Sequence, residues 1–131
     1  MQWTGGRAGG FTSPGAEPWL PIGDADACNV AAQREDAGST LHLCRDLIAL
    51  RREREDLRSG RYAAIGSPDG VWAWRRGETT VVAVNHSDEP AEIPTDADEV
   101  VLATRRSREG ERLHGRVVLE PWEALVLGQR V

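Results

Sequence analysis

The sequence predicts a mainly β fold, in which a long N-terminal loop and one α-helix precede an antiparallel β-sandwich. Three observations lead to this fold class. Residues 1–38 show no apolar periodicity, and residues 39–54 repeat apolar side chains at helical spacing. The remainder consists of short apolar runs separated by turn residues, as in sandwich domains.

Seven short runs after residue 60 are predicted to be β-strands. Their ranges are 61–66, 71–76, 79–85, 90–93, 98–104, 111–119 and 122–128. Turn segments separate them, as at Ser67-Pro68-Asp69-Gly70. Short strands with regular turns are typical of an antiparallel sandwich. Two nearly continuous apolar runs, residues 117–119 and 124–127, are expected to be central strands covered on both faces.

A single helix is predicted from about Ser39 to Arg54, with Asp36 or Ser39 as its N-cap. Gly60 is expected to end the following turn in a left-handed conformation. Apolar side chains form two adjacent stripes that cover about half of the helix, more than the roughly 100° of an ordinary surface helix. One stripe is Leu41, Cys44 and Ile48, and the other is Leu43, Leu47 and Leu50. We expect one stripe to pack on the C-terminal sheet and the other on a neighbour outside this chain.

The composition fits a soluble globular domain and argues against several classes of partner. The 131 residues are 40% hydrophobic and 28% charged, which allows one domain a core of its own. The net charge of −5 disfavours nucleic acid as a partner, because phosphate binding needs a basic patch. No apolar stretch approaches the ~20 residues that span a bilayer, so no membrane partner is expected.

The cysteines and histidines do not form a recognisable site. Cys28 and Cys44 lack Cys-x-x-Cys spacing, which favours free thiols in a reducing compartment, and we expect a cytoplasmic protein. Cys44 lies on an apolar stripe and is predicted to be an inert core thiol. His42, His86 and His114 have no metal-ligand spacing and are interpreted as ordinary surface residues. No metal and no cofactor are expected.

Four segments of the N-terminal loop carry a resemblance to a known family. They are Met1-Gln2-Trp3, Gly10-Phe11-Thr12, Pro18-Trp19-Leu20-Pro21 and Asn29-Val30-Ala31-Ala32-Gln33. Together they resemble the last long loop of the catalytic barrel in α-glucosidases of the α-amylase family of glycoside hydrolases. Oligo-1,6-glucosidases and trehalose synthases belong to this group. Residues 47–53 and 60–62 resemble the final barrel helix and its exit, and residues 81–87 resemble a strand of the following β domain.

The resemblance implies a C-terminal fragment of such an enzyme. Residues 1–58 would be the terminal loop and last helix of a truncated (β/α)8 catalytic barrel, and residues 59–131 a C-terminal antiparallel β-sandwich. The opening Met1-Gln2-Trp3 reads as the middle of a protein, and the Arg-x-Pro that precedes it in the family is absent. The expected partner is the missing barrel, and α-glucosidic oligosaccharides would be bound only by the intact enzyme. A subunit that completes a separately encoded barrel is a further possibility.

Retaining glycosidases use two carboxyl groups about 5–5.5 Å apart. The resemblance implies that the family's Asp nucleophile and Glu acid/base lie upstream of this chain, so no catalytic residue is predicted here and the fragment alone is expected to be inactive and to stabilise the barrel. The loop acids are interpreted as solvated or capping residues: Glu17, Asp24, Asp26, Glu35 and Asp36. Because the family's loop passes near the substrate pocket, Gln2 and Trp3 are predicted to line the rim of the sugar site. Trp19 is expected to hold the loop against the barrel.

Five tryptophans leave a second function open, that of a free-standing carbohydrate-binding module. Trp72 and Trp74 are two residues apart on a predicted strand and therefore share a face. We expect that face to be buried, because large aromatic side chains mostly belong to the core. If both rings were exposed and coplanar, they would form a platform for a glucan.

Overall fold

The computed structural model describes residues 1–13 and 15–129. Within them the chain forms two units, Met1–Asp46 and a second from Leu47 onward. The first unit holds the N-terminal loop and helical residues, and the second holds all seven strands described. The predicted mainly β fold with an antiparallel sandwich is confirmed.

The N-terminal segment is held by backbone hydrogen bonds and contains a helix that was not predicted. The amides of Val30 and Ala31 donate to the carbonyl oxygens of Gln2 and Trp3 at 2.9 and 3.0 Å. Helix α1 spans Val30–Glu35, so the prediction that residues 1–38 are all loop was wrong. The Asn29 side chain caps α1 by accepting a hydrogen bond from the Ala32 amide at 2.8 Å. An Asn before a helix-compatible run was the available signal, but at six residues the helix is too short to show apolar periodicity.

Helix α2 spans Thr40–Glu53, which confirms the predicted helix. Ser39 caps it, because its hydroxyl oxygen accepts a hydrogen bond from the His42 amide. The other candidate cap, Asp36, accepts instead from the Gly38 amide at 2.8 Å. Residues Thr40–Asp46 lie in the first unit and the remainder of α2 in the second.

A short helix, α3 (Glu55–Ser59), follows at the predicted last turn. Gly60 ends it with φ −60° and ψ 145°, so the predicted left-handed exit was wrong. A glycine is needed at this position for space, because a Cβ there would overlap the backbone of Gly77 and the Asp56 carbonyl oxygen. Gly77, in the turn between β2 and β3, adopts a left-handed φ of 59°.

The strands are β1 (Tyr62–Ile65), β2 (Val71–Arg76), β3 (Thr80–Asn85), β4 (Ala91–Pro94), β5 (Glu99–Ala103), β6 (Arg116–Leu119) and β7 (Ala124–Gly128). A 3₁₀ turn, η1 (Arg106–Arg108), lies between β5 and β6. Five strands form one antiparallel sheet in the order β1-β2-β3-β7-β5, and β4 pairs with β6 in a second sheet. All seven predicted strands exist, although the run 111–119 forms a strand only in its last four residues.

The core of the second unit lies between the two sheets. Val81, Leu125 and Leu127 of the larger sheet meet Ile93 and Leu119 of the smaller one, and all five are almost completely buried. Burial of each such side chain contributes about 1.5–3 kcal/mol of transfer free energy. Strand β7 is central and covered on both faces, as predicted. Strand β6 is not, because it lies in a two-stranded sheet and Val118 on its outer face is exposed, so that prediction was wrong.

Candidate functional site

The two predicted site residues, Gln2 and Trp3, are fixed through their backbone. Both carbonyl oxygens accept hydrogen bonds from the first residues of α1, and the Trp3 amide donates to the Gly9 carbonyl oxygen at 2.8 Å. Their side chains line two different grooves of the first unit, although Met1 contributes to both. The structure therefore places Gln2 and Trp3 side by side without bringing their side chains into one pocket.

Gln2 lines an open groove that we call the proline groove. It has a volume of about 390 Å³ and is formed by Met1, Gln2, Phe11 and residues 18–23. The lining is largely apolar, and Trp19 at its edge is 92% exposed. Gly23 approaches Gln2 so closely that a Cβ there would come within 2.9 Å of the Gln2 amide nitrogen. The groove thus combines one amide with an apolar wall.

Trp3 lines a second groove that we call the arginine groove. It has a volume of about 470 Å³ and is formed by Met1, Trp3, Val30, Arg34, Leu41 and Arg45. Trp3 is 54% exposed, whereas Val30, which lines the same groove, is buried. Neither Arg34 nor Arg45 was predicted as a site residue, because only the folded arrangement of α1 and the start of α2 brings them to one groove.

The loop carboxylates have structural partners. Asp26 accepts a hydrogen bond from the Gly6 amide at 2.7 Å, and Asp24 accepts one from the Ala27 amide at 3.0 Å. Glu17 lies 3.8 Å from Arg7 at an exposed position. These contacts agree with the interpretation of the loop acids as capping or solvated residues. They hold turns of the loop rather than facing a common reacting atom.

The tryptophan pair of the sheet is not core. Trp72 is 54% exposed and Trp74 is half-buried, so the expectation of a buried pair was wrong for Trp72. Val71 and Ala73 point into the sandwich, and the alternating tryptophans point to the outer face, which the two-stranded sheet does not cover. The ring centroids are 4.6 Å apart and the ring planes differ by 41°. The rings are therefore in contact but not coplanar.

The thiols and histidines are peripheral. Cys28 and Cys44 are both free and exposed, so the prediction of a core thiol at Cys44 was wrong. It failed because no residue of α2 is buried. His86 and His114 are exposed, and His42 is half-buried with Nδ1 2.8 Å from the Asp36 carbonyl oxygen. Within residues 1–13 and 15–129, no three His, Cys, Asp or Glu side chains are grouped closely enough to hold a metal ion.

None of the helices in the described part of the chain combines the length and apolar character needed to cross a membrane.

Comparison with known proteins identifies relatives among enzymes that act on α-glucosides. The chain is 32% identical over 131 residues to the glucan 1,6-α-glucosidase of Streptococcus dysgalactiae subsp. equisimilis. This alignment covers 95% of the chain and 24% of the glucosidase. It is 30% identical to the oligo-1,6-glucosidase of Parageobacillus thermoglucosidasius, in an alignment that covers 96% of the chain and 24% of that enzyme. It is 38% identical over 95 residues to the trehalose-6-phosphate hydrolase of Escherichia coli K12, in an alignment that covers 68% of the chain and 17% of that hydrolase.

Solved structures show the same relationship. The trehalulose synthase MutB from Pseudomonas mesoacidophila MX-45 matches with a TM-score of 0.84 and 27% identity, over 97% of this chain and 24% of the synthase. The chain thus spans about a quarter of the length of these relatives. Residues 57–126, more than half of the chain, match the family model described as a domain of unknown function, DUF3459. The chain therefore belongs to the DUF3459 family of C-terminal domains in the α-amylase family.

Proposed function

We propose that this chain works as the C-terminal portion of an α-glucosidase-like glycoside hydrolase that acts on α-glucosidic oligosaccharides. Its role in that enzyme is to stabilise the catalytic barrel, and it is not catalytic by itself. The relatives are glucosidases, and the chain spans about a quarter of their length; both facts support this proposal. In the same proposal, residues 1–58 complete the barrel and residues 59–131 form the attached sandwich.

The observation that carries the proposal is the uncovered apolar side of α2. None of its residues is buried, and Leu47 and Ile48 are 39% and 53% exposed. Exposed apolar area costs about 25 cal/mol per Å², so an amphipathic helix gains stability when a neighbour covers it. Exposed Trp19 and Leu20 in the loop add to the uncovered apolar surface. A barrel that packs against the last helix supplies such a neighbour.

Within the intact enzyme, we propose that Gln2 and Trp3 contact the rim of the sugar site. An indole face packs well against the apolar face of a sugar ring, and an amide both donates and accepts hydrogen bonds to hydroxyl groups. The fixed backbone of both residues supports a positioning role, because a rim residue is useful only if its side chain is presented in one place.

Activity assays test the proposal directly. The purified chain is expected to show no turnover of maltose, isomaltose or p-nitrophenyl α-glucoside, while a longer protein that contains this chain and a barrel is expected to be active. In that longer protein, Trp3→Ala should raise KM more than it lowers kcat, because a rim contact acts mainly on ground-state binding. Measurable turnover by the chain alone would contradict the proposal.

Exposure of Trp72 gives a second candidate function, sugar binding by the sandwich itself. The exposed ring favours it, and the 41° between the two rings argues against a flat platform. Titration of tryptophan fluorescence with maltooligosaccharides tests it. A saturable change that Trp72→Ala removes would support this candidate. Trp122→Ala is the control, because the Trp122 indole is also exposed but is held by Asp88 at 2.9 Å.

We also propose a cytoplasmic location. Free, exposed Cys28 and Cys44 support it, because accessible thiols persist in a reducing compartment. Neither nucleic acid nor a membrane is a partner in this proposal. Quantifying thiols in freshly isolated native protein tests it, and an isolated protein with both cysteines oxidised would contradict it.

A further inference from the structure

We propose that the arginine groove binds a sugar phosphate, with the Trp3 indole against the sugar ring and the Arg34 and Arg45 guanidinium groups on the phosphate. The inference rests on the proposed sugar-facing role of Trp3 and extends it from neutral to anionic sugars. All of the groove's residues belong to the first unit, so the site needs no other part of the chain.

Trp3 is presented rigidly at the surface. Its amide donates to Gly9, its carbonyl oxygen accepts from Ala31 at 3.0 Å, and the preceding carbonyl accepts from Val30. These bonds fix the backbone on both sides of Trp3, and the residue stays 54% exposed. Binding at this residue loses little backbone entropy, because its backbone is already held by these hydrogen bonds.

The two arginines supply uncompensated positive charge. Arg34 on α1 and Arg45 on α2 line the same groove, and neither has a carboxylate partner among the described residues. Some other arginines are paired with carboxylates, as Arg75 is with Asp96 at 2.6 Å, whereas Arg52 and Arg112 are also without a carboxylate partner among the described residues but do not line this groove. In a chain of net charge −5, a groove that gathers two unpaired guanidinium groups is complementary to an anion. Guanidinium groups bind phosphate oxygens through paired hydrogen bonds.

The size and floor of the groove indicate more than a bare phosphate. Its volume of about 470 Å³ falls within the range typical of small-molecule sites, roughly 300–1,000 Å³. Val30 and Leu41 give it an apolar floor, which inorganic phosphate alone would leave uncovered. A sugar ring with one charged substituent would match this lining, because the ring could contact the apolar side chains and the indole while the charge faces the two arginines.

The test follows the indole N–H signal of Trp3 in ¹H–¹⁵N spectra of the full chain, assigned with Trp3→Phe, during titration at constant ionic strength. The probes are glucose 6-phosphate, glucose and inorganic phosphate. We expect glucose 6-phosphate to bind about tenfold more tightly than either of the other two. Glucose lacks the charge-assisted contact of the phosphate with the arginines, and inorganic phosphate lacks the contact of the sugar ring with the Trp3 indole; each contact is worth about a factor of ten. Equal affinity for glucose 6-phosphate and inorganic phosphate would overturn the proposal, as would the absence of any shift.

Matched variants localise the effect. Arg34→Gln and Arg45→Gln should each weaken glucose 6-phosphate binding about tenfold. Arg52→Gln removes the same charge from an exposed position of α2 outside the groove and should leave binding unchanged. An equal loss in Arg52→Gln would show nonspecific attraction and overturn the proposal. The comparison of the three probes uses the unmodified chain and therefore needs no variant. Turnover of neutral oligosaccharides is a different measurement, so failure of the proposed function and failure of this binding site can be told apart.

Discussion

At the scale of single residues, Glu123 shows how the sandwich holds a buried charge. Its side chain is fully buried, and Oε2 accepts hydrogen bonds from Arg108 Nη1 at 2.6 Å and from the Glu120 amide at 2.9 Å. Arg108 also donates to both carboxylate oxygens of Glu111 and to the Val118 carbonyl oxygen. One guanidinium group therefore joins the segment after η1 to β6 and to the turn before β7.

Glu123→Gln is expected to lower the free energy of unfolding by about 3–5 kcal/mol, because it leaves the Arg108 charge without its buried partner. Chemical denaturation at pH 7 measures the change. Glu111→Gln is the matched control, since Glu111 pairs with the same arginine but is 43% exposed, and its loss should cost less than about 1 kcal/mol. Equal losses of unfolding free energy in the two variants would show that burial of Glu123 does not strengthen its ion pair with Arg108.

At the scale of secondary-structure elements, Asp56 joins α3 to the β2–β3 hairpin. Its Oδ2 accepts hydrogen bonds from the Thr79 amide at 2.8 Å and the Thr79 hydroxyl at 2.7 Å. Gly77 permits this approach, because a Cβ at that position would overlap the Asp56 carboxylate. The hydrogen bond from the Thr79 hydroxyl lowers the pKa of Asp56 below its ordinary value, although burial opposes the shift.

Asp56→Asn is therefore expected to destabilise the chain in a pH-dependent way. A carboxyl group with a lowered folded-state pKa contributes stability above its unfolded pKa of about 3.9, and this contribution is lost as the pH falls through the folded value. The difference in melting temperature between the native chain and Asp56→Asn should be largest near pH 7 and shrink below about pH 4. Thermal melts at pH 7, 5 and 3 measure it. A difference that stays constant across these values would show that ionisation of Asp56 is irrelevant.

The elements that were predicted correctly have local signals. Each strand lies between turn residues, and α2 is long enough to repeat its apolar pattern several times. The errors concern features that depend on distant packing. Gly60 is required by the approach of Gly77 from another turn, and β6 lies at an outer sheet although its apolar run resembles that of β7. Sheet order is not encoded in the periodicity of a single strand.

At the scale of the whole molecule, the family could be recognised from the sequence, but the surfaces that carry function could not. The segments of the N-terminal loop identify the relatives because their order and spacing are local properties of the chain. Exposure of Trp72 and Cys44 depends on which faces the rest of the chain leaves uncovered. The placement of Arg34 and Arg45 in one groove likewise depends on how the chain arranges α1 and the first residues of α2.

The uncovered side of α2 yields a prediction for the chain and for the longer enzyme. Leu47→Arg with Ile48→Arg should change the unfolding free energy of the chain alone by less than about 0.5 kcal/mol, because both side chains are exposed and Arg favours helix. Leu125→Ala, a core control, should cost about 2–5 kcal/mol. In an enzyme that includes the catalytic barrel, the double variant should lower the melting temperature and activity, because two charges would be buried at the proposed interface. If the double variant left that enzyme as stable as its parent, this side of α2 would not be the surface that the barrel covers.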